Sequence, residues 1–191
     1  MKNSIAYLFF CIILIACQSK TNTDNTKIKK DENRAFIEIT KEQKKHFRNV
    51  VEKYERINKL YKYREIVEYT HPLVIKRLMD LNNIDEKMAK DALAKEMEKS
   101  LDEIKKTGIF MKSREITKFS DTFVKYNNAI YTSYQTITTL EVQGKPASIL
   151  ETVITVSKDN GNMWYFIDKN GNATGKHILL QEIDEETFNV L

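Results

Sequence analysis

Residues that cross-link or interrupt a folded chain are scarce in this 191-residue sequence, which has two cysteines, two prolines and five glycines. Both cysteines, Cys11 and Cys17, lie near the N-terminus, so residues 18–191 contain no thiol. A disulfide, a redox-active cysteine pair and a thiolate zinc site are therefore excluded from that part of the chain. A body of about 150 residues is large enough to be stabilised by a hydrophobic core without such cross-links.

An excess of charge of one sign is also lacking. The chain has 31 Lys and Arg against 27 Asp and Glu, a formal net charge of +4, and both signs are interspersed. A nucleic-acid-binding protein would need a concentrated basic face, so nucleic acid is not expected as a partner. The apolar run at residues 5–16 is about half of the roughly 20 residues that a membrane-spanning helix requires. A permanent transmembrane helix is therefore not expected there.

The N-terminal segment instead has the order of a secretory signal. One positive charge, Lys2, precedes the apolar run, which ends in Leu14-Ile15-Ala16-Cys17. These four residues resemble the lipobox of bacterial lipoproteins. The resemblance implies that residues 1–16 are removed and that Cys17 carries the lipid that attaches the exported protein to the cell envelope. Gln18 stands where some diderm bacteria place an aspartate for inner-membrane retention, so an outer-membrane destination is preferred in such cells.

A polar stretch follows the predicted lipid-bearing cysteine. Residues 17–35 have no apolar periodicity, and such a stretch cannot bury enough apolar surface to offset the entropy lost on ordering. We therefore expect a flexible tether with a typical reach of about 20–25 Å. Residues 36–191 are then expected to form a single domain.

Helical signals dominate the first half of that domain. Thr40 followed by Gln43 fits a capping box, and apolar residues recur beyond it at three- and four-residue spacing. This pattern predicts a helix from about Lys41 to Tyr69, stopped by Pro72. Proline at the first position predicts a short second helix that ends at Asn82-Asn83. Asp85 as N-cap and Gly108 as C-terminal cap delimit a third.

The second half has the alternation of β-strands. The predicted strands are Ala129 to Val142, Ile149 to Ser157 and Met163 to Asp168, with turns at 144–146, 159–162 and 169–172. Consecutive hairpins indicate an antiparallel meander. Helices followed by strands in separate blocks predict an α+β fold, in which N-terminal helices pack on an antiparallel sheet.

This order of elements, with the aromatic final strand at residues 161–168, resembles the NTF2-like superfamily. Its members wrap a strongly curved sheet around a long helix in a cystatin-like α+β cone. The resemblance covers about residues 40–170 and implies a curved sheet with a pocket beneath the helices. The superfamily includes isomerases, cyclases, dehydratases and many non-enzymatic binding domains, so the fold alone supplies no activity.

An acid–base enzyme of this shape would need a carboxylate or histidine inside the cone, together with a tyrosine or second acid. The candidate pocket residues are Tyr54, Tyr69, His71, Tyr134, Trp164 and Asp168, with Glu151 as a further carboxylate. Nothing in their spacing shows that they converge. His71 has an alternative structural interpretation as a helix N-cap, and Asp168 as a residue that bonds turn amides.

Residues 157–164 resemble a single Asp-box, the S-x-D-x-G-x-x-W hairpin found repeated in sialidase propellers. The motif is structural there, and one copy cannot make a propeller, so we predict a well-defined hairpin with a buried Trp164 and no glycosidase. An EF-hand count from Asp168 places Leu179 where a bidentate glutamate belongs. The histidines His46, His71 and His177 lack metal-site spacing, so no metal or cofactor is predicted.

The leading hypothesis is an envelope lipoprotein whose domain binds a small ligand or an envelope protein without catalysis. The first alternative is an isomerase- or cyclase-type enzyme that uses a pocket carboxylate or His71. The second is a structural or assembly lipoprotein. In each case the membrane is a partner through the N-terminal lipid, and a homodimer remains open.

Overall fold

The computed structural model describes residues 34–169 and 173–191 of the chain. The predicted signal, Cys17 and residues 170–172 of the predicted third turn lie outside these ranges. No helix among the described residues is both long and apolar enough to cross a membrane. Arg34 and Ala35, assigned to the tether from sequence, are part of the first strand.

The chain is α+β, with most helices before most strands. The elements in order are β1 (Arg34–Phe36), α1 (Lys41–Lys59), α2 (Tyr63–Ile66), a 3-10 turn (Val67–Tyr69), α3 (Pro72–Asn82), α4 (Glu86–Lys106), β2 (Ile109–Phe119), β3 (Val124–Tyr126), β4 (Ala129–Val142), β5 (Lys145–Ser157), β6 (Tyr165–Asp168), α5 (Ala173–Leu179) and α6 (Glu185–Val190).

Helix α1 begins as predicted but ends ten residues early. The Thr40 side chain accepts a hydrogen bond from the Gln43 N–H at 3.1 Å, and the Gln43 side chain accepts one from the Thr40 N–H at 2.9 Å. The prediction of one helix to Tyr69 is wrong, because Tyr61 has a φ of +54° and turns the chain. The apolar period continues past the break, which is why the sequence pattern did not reveal it.

The boundaries of the next two helices are confirmed. Pro72 occupies the first turn of α3 behind the N-cap His71, and Asn83 ends that helix with a left-handed conformation. Asp85 caps α4 by accepting a backbone hydrogen bond at 2.8 Å. Gly108, with a φ of +78°, follows the end of α4.

The described strands form one antiparallel sheet that is curved and unclosed. Its order is β1-β3-β4-β5-β6, and β2 pairs with the C-terminal part of β4 beyond the short β3. Hairpin β4–β5 turns at Gln143 and Gly144, which have φ values of +51° and +78°. The turn predicted for residues 144–146 is therefore one residue too late. A positive φ at both central residues is typical of a tight two-residue hairpin turn. Pro146, which was predicted to lie in the turn, lies within β5.

The predicted Asp-box hairpin is confirmed by its hydrogen bonds. The Ser157 hydroxyl donates to Asp159 and accepts from the Gly161 N–H, both at 2.8 Å. The Trp164 indole N–H donates to the Gly161 carbonyl at 3.0 Å, and its side chain is buried. The strand predicted from Met163 begins two residues later, because the hairpin bonds extend to that residue.

The two faces of the sheet have different covers. We call the face toward α1 and α4 the inner face and the opposite face the outer face. The inner core combines Phe47 and Val51 of α1 with Ile130, Tyr134, Val153, Trp164 and Phe166 of the sheet region. The outer core is covered by the C-terminal segment, which contributes Ile178, Leu179, Ile183, Phe188 and Leu191. The sequence did not predict α5 or α6.

Candidate functional site

A cavity of about 130 Å³ lies between α1, α4 and the inner face of the sheet. Most of its wall is aromatic or aliphatic, from Tyr54, Tyr61, Tyr63, Met97, Leu101, Ile104, Met111, Ile149, Val153 and Phe166. Polar groups reach it from Asn58, Ser100, Arg114, Thr138, Glu151 and Asp168. We call it the acidic cavity, for the charge balance described below. Such a mixture of apolar surface with a few polar groups is typical of small-molecule sites.

One wall of the acidic cavity is a charged cluster built from three elements. Arg114 of β2 donates from Nε to Glu55 of α1 at 2.6 Å, and from Nη1 to Glu151 of β5. The side chains of Arg114 and Glu55 are only 12% and 7% exposed. A charge this well buried is stable only when paired, so the two carboxylates and the guanidinium depend on one another.

Two hydroxyl groups complete this cluster. The Thr138 hydroxyl accepts from Arg114 Nη1 at 2.8 Å and donates to Glu151 at 2.9 Å. The buried Tyr134 hydroxyl donates to Glu55 at 2.5 Å. Two carboxylates thus share one guanidinium, and the fixed bonds hold the surplus negative charge at the cavity wall.

The ionisation of the nearby groups follows from this arrangement. Burial would lower the pKa of Arg114, but the charges of Glu55 and Glu151 raise it above its ordinary value, so the guanidinium stays charged. Burial raises the pKa of Tyr54, which the charges of the neighbouring carboxylates raise further. Burial likewise raises the pKa of Tyr134, with Glu55 adding to it. Both phenols therefore keep their protons at neutral pH and remain hydrogen-bond donors.

Carboxylates outnumber the guanidinium among the charged groups that act on Tyr54. Burial raises the pKa of Tyr54, the charges of Glu55, Asp168 and Glu151 raise it further, and the charge of Arg114 lowers it. More negative than positive groups therefore act on this phenol. A cavity of this kind favours a cationic ligand over an anionic one.

The structure brings together some of the residues selected from sequence. Tyr54, Asp168 and Glu151 line the acidic cavity. Tyr134 contributes through its bond to Glu55. Tyr69 lines a neighbouring cavity instead. Trp164 packs against Phe47 in the inner core, with ring centroids 4.8 Å apart, and is not among the lining residues.

His71 lies on the outer side of the sheet, away from the acidic cavity. It is fully buried, its Nδ1 accepts from the Leu73 N–H at 3.3 Å, and its Nε2 lies 3.1 Å from Glu182. Because Nδ1 accepts, a neutral imidazole carries its proton on Nε2 and donates it to Glu182. The structural interpretation of His71 as an N-cap is therefore confirmed.

Glu182 should make the stability of the fold sensitive to acid. Burial alone would raise its pKa, but hydrogen bonds from His71 and Lys158 lower it to about 2. A lowered pKa contributes stability above the unfolded value of about 4.3, and this is lost as the pH falls toward 2. Glu182→Gln should therefore cost on the order of 2 kcal/mol at pH 6 and much less near pH 2.

Urea denaturation of both proteins across pH 2–6 measures this difference. Glu185→Gln, at an exposed position in the same segment with only a 3.8 Å contact to Lys176, is the matched control and should show little change. A cost for Glu182→Gln that stays constant with pH would contradict the assignment.

Sequence reasoning missed Glu55, Arg114 and Thr138. A signal was present for the first, because Glu55 lies four residues after the buried Val51 and so shares the apolar face of α1. Arg114 lies opposite Thr138 in the register, on the same face of the sheet as Tyr134. A charged residue on the buried face of a helix or strand is costly unless it is paired, so it indicates a polar site inside the fold. The partners of Arg114 could not be predicted from spacing, since they lie 24 to 59 residues from it along the chain.

No group of three or more histidine, cysteine, aspartate or glutamate side chains among the described residues is arranged to hold a metal ion. In comparisons with known proteins, no family model, no curated protein and no solved structure matches the chain. The chemistry of the site therefore rests on its own residues.

Proposed function

We propose that this chain is an exported, lipid-anchored envelope protein whose NTF2-like domain binds a small organic cation in the acidic cavity. The observation that carries the binding proposal is a cavity with aromatic walls in which carboxylates outnumber the single guanidinium. The assignment to the NTF2-like superfamily is supported by the helices-first order and by a curved antiparallel sheet packed against α1.

The lining contains carboxylate, aromatic and hydroxyl groups, the groups that bind organic ammonium ions. Glu151 and Asp168 provide carboxylate groups at the wall, and charge-assisted bonds to such groups are the strong ones. The ring of Tyr63 can present a face that attracts cations, whereas one face of Tyr54 is stacked on Phe166 and Tyr61 already has the Lys105 Nζ 5.4 Å from its centroid.

Ser100 supplies a further polar group. Its hydroxyl is buried with no partner among the described residues, and its side chain lines the same cavity. Buried polar groups are rarely left unpaired in folded proteins, so this hydroxyl is available to a ligand.

The size of the acidic cavity limits the group that it accepts. An apolar cavity of about 150 Å³ is known to hold a benzene ring, and the acidic cavity is slightly smaller at about 130 Å³. It therefore fits an ammonium group with a few carbons or one small ring. Larger cations would have to extend beyond it.

Binding of benzylamine to the mature domain tests this proposal. We expect benzylamine to bind more tightly than the isosteric benzyl alcohol, and benzoate to bind least, as measured by calorimetry. Glu151→Gln should weaken benzylamine about tenfold, because it removes the negative charge on one carboxylate. Glu141→Gln is the matched control, since Glu141 lies on the outer face of the same sheet and pairs with Lys112. Equal affinity for the amine and the alcohol would contradict the proposal.

A second function is favoured by one observation. Glu151, Asp168 and Tyr54 line the same cavity, which brings two titratable carboxyl groups to a neutral phenol. This is the combination that acid–base catalysis requires, with the phenol placed to stabilise developing oxyanion charge. Mass spectrometry of the ligand after incubation separates the two functions: an unchanged ligand supports binding, and a chemically altered ligand supports catalysis.

Cys17 should be essential for membrane attachment. Each buried methylene of an acyl chain contributes about 0.8 kcal/mol, so two or more chains anchor a protein stably where one is marginal. Cys17→Ala should abolish labelling by an alkyne-tagged fatty acid and move the protein to the soluble fraction. Cys11→Ala, in the segment predicted to be removed, should leave labelling unchanged. Continued labelling of the Cys17 variant would overturn the lipoprotein assignment.

A further inference from the structure

A second cavity of about 130 Å³ adjoins the acidic cavity. We call it the apolar cavity, because most of its lining is apolar, with seven aliphatic residues: Ile66, Val74, Leu78, Leu81, Leu93, Ile167 and Ile178. Thr70 and Arg77 add polar groups that the acidic cavity does not share. Helix α3 forms one side, and β6 with α5 forms another. Leu81, at the end of α3, is 55% exposed, so this cavity reaches the protein surface.

The two cavities have a common wall. Tyr54, Asn58, Met97, Phe166 and Asp168 line both of them. The rings of Tyr54 and Phe166 are stacked face to face, with centroids 3.9 Å apart and planes 7° apart. These five residues therefore form the boundary between the two cavities, and one of them, Met97, has a flexible side chain.

We propose that the two cavities are the two subsites of one amphipathic amine. The acidic cavity takes the ammonium group, and the apolar cavity takes the hydrocarbon body. This inference rests on the proposed function and restricts the ligand to a primary amine with an aliphatic or aromatic body. A hydrophilic polyamine fits less well, because most of the lining that its further charges would meet is apolar.

The volume of the apolar cavity sets the size of that body. A cavity of this volume holds a group about the size of a benzene ring, or a chain of about six carbons. Each methylene that enters should tighten binding about fourfold, which corresponds to about 0.8 kcal/mol. Methylenes added beyond the cavity should have little further effect.

A series of n-alkylamines from propylamine to dodecylamine, measured by calorimetry on the mature domain, tests this inference. We expect the dissociation constant to fall about fourfold per methylene through the middle of the series and then to level off. The n-alkanols of equal length should bind more weakly throughout, because they lack the charge.

A cavity-filling variant locates the chain. Val74→Phe adds bulk at a residue that lines the apolar cavity and not the acidic one. It should remove most of the gain with chain length. Leu78→Phe serves the same purpose should the first variant fold poorly by circular dichroism. Leu60→Phe, at an exposed position that lines neither cavity, is the control.

The outcomes separate this inference from the function on which it rests. Affinity that rises with chain length and falls in Val74→Phe supports it. Amine binding that is independent of chain length, or a gain that persists in both filled variants, overturns the second subsite and leaves the cation site standing. Binding of none of the amines overturns both.

Discussion

Replacing Arg114 with methionine should lower the free energy of unfolding by about 3–5 kcal/mol, because it leaves two buried carboxylates without their shared counterion. Glu55 and Glu151 would then repel one another at the inner face. The expected loss is a large fraction of the 5–15 kcal/mol typical of a whole domain.

Denaturation in urea at neutral pH, followed by circular dichroism, measures this effect. The triple variant Arg114→Met, Glu55→Gln, Glu151→Gln should recover most of the stability, because it removes the unpaired charges together with the cation. Arg114→Lys should fall between the wild type and the methionine variant, since an ammonium group cannot reproduce the fork of bonds from one guanidinium. A methionine variant within 1 kcal/mol of the wild type would show that the cluster does not hold the sheet to α1.

Trp164→Ala should cost about 3–5 kcal/mol, the range for large-to-small changes in a packed core. The indole is 2% exposed, lies 4.8 Å from the Phe47 ring between centroids, and donates to the Gly161 carbonyl. Its removal would leave a cavity between α1 and the hairpin and would orphan that carbonyl. Circular dichroism is the appropriate probe, because this is the only tryptophan.

Acrylamide quenching provides an independent measurement on the unmodified protein. A buried indole should be weakly quenched, whereas a ligand-stacking indole would be partly exposed and its loss would cost below about 1 kcal/mol. Trp164→Phe is the control, since it keeps an aromatic ring and should lose much less stability than the alanine variant. Strong quenching with an unchanged denaturation midpoint for Trp164→Ala would assign the residue to a ligand site.

Only part of the candidate site could be predicted from the sequence. Tyr54 and Asp168 were selected as residue types suited to acid–base chemistry, and both reach the acidic cavity. His71 was selected on the same grounds, yet it faces Glu182 across the outer side of the sheet. In each case the sequence supplied only the residue type and its place in or beside a predicted helix or strand. Which side of the sheet a residue reaches depends on how α3 packs, and local pattern does not contain that.

Local signals by themselves determined much of the chain. The capping box at Thr40, the proline start of α3, the Asp85 cap and the Asp-box hairpin involve residues at most seven positions apart, so their bonds are encoded in short segments. Strand alternation determined the α+β class in the same way, because side-chain direction repeats every two residues.

Only the tertiary structure decided the site. The Glu55–Arg114–Glu151 cluster joins one helix and two strands. Glu55 and Arg114 are 59 residues apart along the chain, and Arg114 and Glu151 are 37 residues apart. The early end of α1 at Lys59 depends on the left-handed Tyr61, and the cover of the outer face depends on the C-terminal helices. Contacts between distant segments form only when packing brings them together, so no local pattern specifies them.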